Sequence, residues 1–270
     1  MKRELEYITF IDLLFLLILS FSGMTHGILS EVIYYGAFLI PIGLGLYFIR
    51  LVGADKTENI KPLGLTRVKT LSFIPLIFPI LTAIFAISLL TSLIMGGLGF
   101  TDSTELNEAL PLAILLHAVL PAVLEEALFR YIPLKLTLHH SPRWAVILSS
   151  LIFSLVHANL FRIPYAFAAG IAFALVDIMA GSILPSVILH VLNNTVSIIL
   201  IRYPEGGVCF SAAMLLLSVI SLVIIIIKKK DYRAFLAPIK DEGEASEFSI
   251  APLSLLLITL FTAITNLFAK

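Results

Sequence analysis

The chain has 270 residues, 18 acidic and 18 basic side chains, and a mean hydropathy of +1.05. Only 13% of its residues are charged and 59% are hydrophobic, whereas a water-facing domain carries roughly 25% charged residues. This excludes an ordinary soluble domain; the zero net charge gives no hint of nucleic acid or of an acidic ligand, and the single Cys209 excludes an intrachain disulfide or a thiolate metal cluster.

A helix needs about 20 apolar residues to cross the hydrocarbon core. In chain order, the apolar stretches predict helices over 8–24, 31–52, 71–98, 109–134, 143–160, 164–180, 182–202, 208–227 and 248–268. The first follows Met1-Lys2-Arg3. Ser22-Gly23-Met24-Thr25-His26 offers no small-residue cleavage pattern after it, so the stretch reads as an uncleaved span and not as a signal peptide. With the N-terminus cytoplasmic, nine spans leave only Arg162, Arg202 and Lys270 outside and the other 15 Lys and Arg residues inside, in accord with the positive-inside rule. Lys228–Lys230 reads as a stop-transfer anchor for anionic lipid, and 240–248 as a linker to the last helix. The expected fold class is all-α, a polytopic transmembrane helix bundle of about eight or nine spans. It forms a single integral membrane domain over 1–270, placed in the cell membrane.

Four acidic residues fall in the interior of predicted spans: Asp12, Glu125, Glu126 and Asp177. An ionisable side chain near the bilayer centre costs about 2.5–3.5 kcal/mol on insertion scales, so each is a functional candidate. Residues 112–134 hold Glu125, Glu126 and Arg130, a penalty of roughly 7–10 kcal/mol against about 4–7 kcal/mol returned by the apolar neighbours. This helix is expected to stand in lipid only when packed against partners that satisfy its charges. Arg130 follows Glu126 by four positions, so the two can pair on one face. Glu125 is turned about 100° away and is left for another task. Pro121 removes an amide donor, frees the carbonyl of His117 and is expected to kink the helix just ahead of the glutamates.

The next helix carries Phe153 one turn before His157, and two helices later His190 and Asn194 share a face, flanked by Asn193. Ala169, Gly170 and Ala174 lie between them and permit close helix packing. Asp177 is open between pairing with a neighbouring helix, lining a cavity and sitting at the interface. Asp12 is expected to be interfacial or bundle-facing, and His117 to be a core or outer-side histidine. His139, His140, Trp144 and Tyr131 fit an interfacial loop and aromatic belt.

Three motifs stand in order on these stretches: Glu125-Glu126-Ala-Leu-Phe-Arg130, Phe153-Ser-Leu-Val-His157 and His190-Val-Leu-Asn-Asn194. They resemble the E-E-x-x-x-R, F-x-x-x-H and H-x-x-x-N signature of the CPBP (Abi) family of intramembrane glutamic endopeptidases, related to the CAAX prenyl protease Rce1. The resemblance covers a catalytic motif core of roughly 109–202. It implies an intramembrane peptidase that requires no metal or other cofactor and acts on a membrane-anchored protein or peptide, of the prenylated CAAX type in some members. By the same resemblance Glu125 and His157 bind and activate water, His190 and Asn194 stabilise the oxyanion, and Glu126 with Arg130 is structural support.

The residue types suit that chemistry, since peptide hydrolysis needs a base for water and donors aimed where negative charge develops. Two other readings stand beside it. Glu125, His157 and His190 could form a zinc site with an open position for water, as in a zinc-dependent membrane hydrolase, although no H-E-x-x-H helix is present. Alternatively, the same polar groups serve ion or proton passage in a non-enzymatic transporter or scaffold.

Overall fold

The computed structural model describes residues 1–56, 60, 73–100, 106–230 and 232. Among the described residues eight helices form the bundle: α1 (Lys2–Ser22), α2 (Ile28–Leu51), α3 (Ile74–Gly97), α4 (Leu110–Thr137), α5 (Pro142–Leu155), α6 (Ile163–Ala180), α7 (Leu184–Arg202) and α8 (Gly207–Ile227). Seven of these stretches are long and apolar enough to cross a bilayer. Helices are the natural outcome here, because lipid offers no partner for a backbone N–H or C=O and an α-helix satisfies its own. The protein is thus an all-α polytopic membrane bundle. The ninth expected span, 248–268, lies outside the described residues.

One expectation needs correction. The stretch 143–160 was expected to span, but α5 has 14 residues and ends at Leu155, a rise of only about 21 Å. The chain turns at Ala158, whose φ of 45° is left-handed, and the Asn159 side-chain oxygen then accepts the Phe161 N–H at 2.8 Å. A helix cannot continue through a left-handed alanine. At its other end α5 starts sharply, with Ser141 Oγ accepting the Trp144 N–H at 3.4 Å and Pro142 supplying a first residue that needs no donor.

Helix α4 sits at the centre, touching α1 and α2 on one side and α5 and α7 on another, while α6 packs between α5, α7 and α3. The pair α3–α8 closes the far flank, with Thr82 and Ser218 hydroxyls 2.7 Å apart across it. Small residues set the closest approach. A Cβ on Gly170 would lie 2.9 Å from the Ser150 Cα, so α5 and α6 touch backbone to side-chain stub. Gly45 on α2 is filled in the same way by Ile132 of α4. Phe129 of α4 meets Phe15 of α1 edge-on at 5.0 Å and Phe38 of α2 at 6.2 Å, locking the three helices around an aromatic node.

Pro121 does not simply kink α4. Residues Leu115–Val119 form a π-helical turn directly before it, and a second one, Ala127–Tyr131, precedes Pro133. Each proline lacks the N–H that would bond four residues back, and the wider turn takes up the mismatch. The seven residues between, Leu120–Glu126, carry both glutamates. The short α6–α7 connection is buried, with Ser182 at 0% and Ile183 at 7% exposure. It turns on Gly181 at φ 68°, a left-handed cap that only glycine adopts freely.

Candidate active site

Glu126 is fully buried and both of its oxygens are occupied. Arg130 Nε donates to Oε2 at 3.2 Å, and His190 Nδ1 lies 2.8 Å from Oε1. The i,i+4 pairing read from the sequence is therefore one half of a longer chain, Arg130–Glu126–His190, that joins α4 to α7. Arg130 is also fully buried; its Nη1 donates to Ser149 Oγ at 3.2 Å, and its guanidinium lies over the Phe153 ring, 5.2 Å from the centroid. A planar, delocalised cation suits that stacking where an ammonium would not.

Phe153 is the hub of the cluster. Its ring meets His157 edge-on at 5.2 Å and His190 edge-on at 5.5 Å, while its other neighbour is the Arg130 guanidinium. The spacing of the second motif also has a backbone reason. Phe153 lies in the last turn of α5, where carbonyls lack helical partners, and His157 Nδ1 sits 2.8 Å from the Phe153 carbonyl oxygen. A carbonyl only accepts, so Nδ1 carries the proton, and the neutral ring presents a lone pair at Nε2.

Glu125 behaves differently from its neighbour. Its side chain is 16% exposed, and Oε2 has no hydrogen-bond partner among the described residues; His190 Nε2 lies 3.8 Å from it. The Arg162 guanidinium, just before α6, exerts its charge on both Glu125 and His157, and the Tyr34 hydroxyl of α2 feels the charges of Glu125 and Arg162. Loop counting put Arg162 on the outer side of the membrane, so it did not stand out as a neighbour of Glu125. Ser149 was legible in principle, lying four residues before Phe153 on the same face of α5.

Asn194 shares its helix with His190 but not its partners. Its amide lies 3.5 Å from the His117 carbonyl, the group freed by Pro121, and its oxygen accepts from Asn193 Nδ2 at 3.1 Å. The His117 ring itself is 45% exposed and lies 3.6 Å from Glu108, towards one end of the bundle. At that end Arg202 Nη2 donates to the Glu108 and Leu106 carbonyls at 2.6 and 3.0 Å, and so closes the end of α7 onto the start of α4.

Asp177 is fully buried and serves the helix that holds His190. The first donors of α7 can be followed one by one. Leu184 N–H bonds Ser182 Oγ at 3.2 Å, Pro185 has none, Ser186 N–H bonds Asp177 Oδ1 at 3.0 Å, and Val187 N–H bonds the Ile183 carbonyl at 3.1 Å. A carboxylate at a helix N-terminus satisfies an orphan donor and complements the dipole. Asp12 faces the bundle at 1% exposure, with Oδ2 lacking a hydrogen-bond partner among the described residues. Among those residues, the one group of His and Glu ligand atoms within 4.8 Å of one another is Glu4, His139 and His140, away from this cluster.

Residues 107–196, a third of the chain, match the family model of Rce1-like proteins, the type II CAAX prenyl endopeptidases. None of the curated proteins or solved structures compared with the chain matches it. The matched segment holds all three motifs, helices α4 to α6 and most of α7. The polar cluster is thus built by a segment similar to the Rce1-like type II CAAX prenyl endopeptidases.

Proposed function

We propose that the chain is an intramembrane endopeptidase that hydrolyses a peptide bond of a membrane-associated protein, with a prenylated CAAX-type tail as the substrate class. The observation that carries this reading is the contrast between two adjacent carboxylates. Glu126 is consumed by Arg130 and His190, whereas Glu125 keeps an oxygen without a hydrogen-bond partner among the described residues, beside the imidazole of His190. In this reading Glu125 takes a proton from a water that also hydrogen-bonds the lone pair at His157 Nε2. The water oxygen attacks the scissile carbonyl carbon, the C–N bond breaks, and Glu125 passes the proton to the leaving amine. His190, anchored through Nδ1 to Glu126, donates through Nε2–H in its protonated form to the oxyanion. Asn194 supplies a second donor after releasing the His117 carbonyl, a contact that at 3.5 Å is at the outer limit of a hydrogen bond. No metal takes part in these steps. We also place the N-terminus on the cytoplasmic side of the cell membrane, from the partition of Lys and Arg.

The test is cleavage of a membrane-anchored peptide, with and without a prenylated C-terminal cysteine, by the full chain in vesicles. Glu125→Gln and His157→Ala are expected to lower kcat by about 10²–10⁴-fold, the usual worth of a general base, and chelators to leave the chemistry intact. Full activity of Glu125→Gln sinks the assignment. Loss on chelation with rescue by zinc moves the reaction to a metal at Glu125, His157 and His190.

A further inference from the structure

At one end of the bundle, apart from the motif residues, the first turn of α1 meets the turn between α4 and α5. Glu4 is 7% exposed, and its Oε2 lies 3.8 Å from His140 Nε2. The His139 and His140 rings lie 3.9 Å apart, centroid to centroid. One ligand atom from each of the three residues falls within 4.8 Å of the others. We propose that Glu4, His139 and His140 form a divalent-cation site of the zinc class that ties α1 to the α4–α5 turn.

The donor set fits that ion. Two imidazoles and one carboxylate, with a fourth position for water, suit Zn²⁺ better than the all-oxygen cations Ca²⁺ and Mg²⁺. Two ligands about 2.0–2.1 Å from a tetrahedral zinc ion stand roughly 3.3 Å apart. The 3.8 Å between Glu4 and His140 therefore closes by about half an ångström, within reach of χ adjustments alone. The backbone is set for it: the His140 and Ser141 amides both bond the Thr137 carbonyl, at 2.9 and 3.4 Å, so the two histidines leave a tight turn together. His140 Nε2 is buried and has no hydrogen-bond partner among the described residues.

Other charges face this point. The Met1 ammonium lies 2.7 Å from Glu4 Oε2 and is the cation that a metal displaces. Lys2 and Arg3 on the same turn are exposed and solvated. The site brackets α1, which lies outside the Rce1-like segment, onto the two helices that carry the first two motifs. It is independent of the proposed chemistry.

The experiment uses full-length protein in detergent, purified without a histidine tag, with zinc chloride as the probe. Bound zinc per chain after desalting and the thermal midpoint are read for wild type, His139→Ala/His140→Ala, Glu4→Gln, and the Glu125→Gln and His157→Ala variants. One equivalent of zinc with a raised midpoint is expected in wild type and in the two motif variants. The double histidine variant should lose the zinc, and Glu4→Gln should bind at least tenfold more weakly, with metal-free midpoints close to wild type. Three results overturn the proposal. The first is zinc absent from wild type at 100-fold excess, and the second is zinc retained in the double variant through other exposed histidines. The third is zinc lost only from the Glu125 and His157 variants, which assigns the metal to the motif cluster.

Discussion

Helices α6 and α8 are both apolar and both long enough to span, yet they have opposite surroundings. The most apolar 18-residue window of α6 has hydropathy 1.8 and is 56% buried, whereas the stretch containing α8 reaches 2.9 and is only 17% buried. In water the more hydrophobic helix would be the interior one. Here the order is reversed, because lipid tails receive Leu, Ile and Val as readily as a protein core does. What must be hidden from lipid is polarity, and α6 carries Asp177 together with the small residues that let neighbours close over it. The inner helices α4 to α7 are therefore held by polar pairs and close contact, and α8 largely by the bilayer.

Four substitutions break or sharpen this contrast, from the largest expected effect to the smallest. Arg130→Met leaves Glu126 buried with only His190 for a partner and removes the guanidinium over Phe153. A loss of about 3–5 kcal/mol is expected, as for other broken buried pairs, read as a fall in the detergent-induced unfolding midpoint. Gly170→Leu forces a side chain into the Ser150 backbone and should cost about 1–3 kcal/mol or more, measured the same way. Asp177→Ala strips the Ser186 N–H of its partner. A cost of about 1–3 kcal/mol for the unmet buried donor should come with lowered kcat, as α7 loses its fixed start beneath His190. Leu216→Ala on α8, where Leu216 is 62% exposed, should change stability by less than about 0.5 kcal/mol. A larger loss there would show that α8 faces protein and not lipid.

The pH dependence is smaller and opposite in sign to that of an ion-paired histidine. Burial and His139 hold the His140 ring below its usual value. The unfolded chain thus binds the proton more readily, and the stability contributed is present above about pH 6.5 and falls as pH drops below it. In the presence of chelator, His140→Gln should flatten the stability profile between pH 7 and 5.

Much of the molecule was legible along the chain because the signals are local or compositional. Continuous apolar runs announce membrane helices whatever packs against them, and the i,i+4 spacing of Glu126 and Arg130 fixes their pairing within one element. The three motifs name the residues that converge. The early end of α5 was not legible, since nothing in Val156-His157-Ala158 forbids a helix or announces the left-handed alanine at which the chain turns. The π-turns before Pro121 and Pro133 were hidden likewise: a proline announces a disturbed helix but not how the disturbance is absorbed.

The sequence by itself thus determined the solvent, the helical class and the identity of the candidate residues, all properties of composition and of spacing within a turn. Only the tertiary structure decided the partners. Glu126 reaches His190, 64 residues away, and Asp177 caps α7. Phe153 gathers Arg130 and both histidines around one ring. Such contacts depend on how separate helices are rotated and offset against one another. Side-chain periodicity along one helix carries no record of that, because it defines a face but not what the face meets.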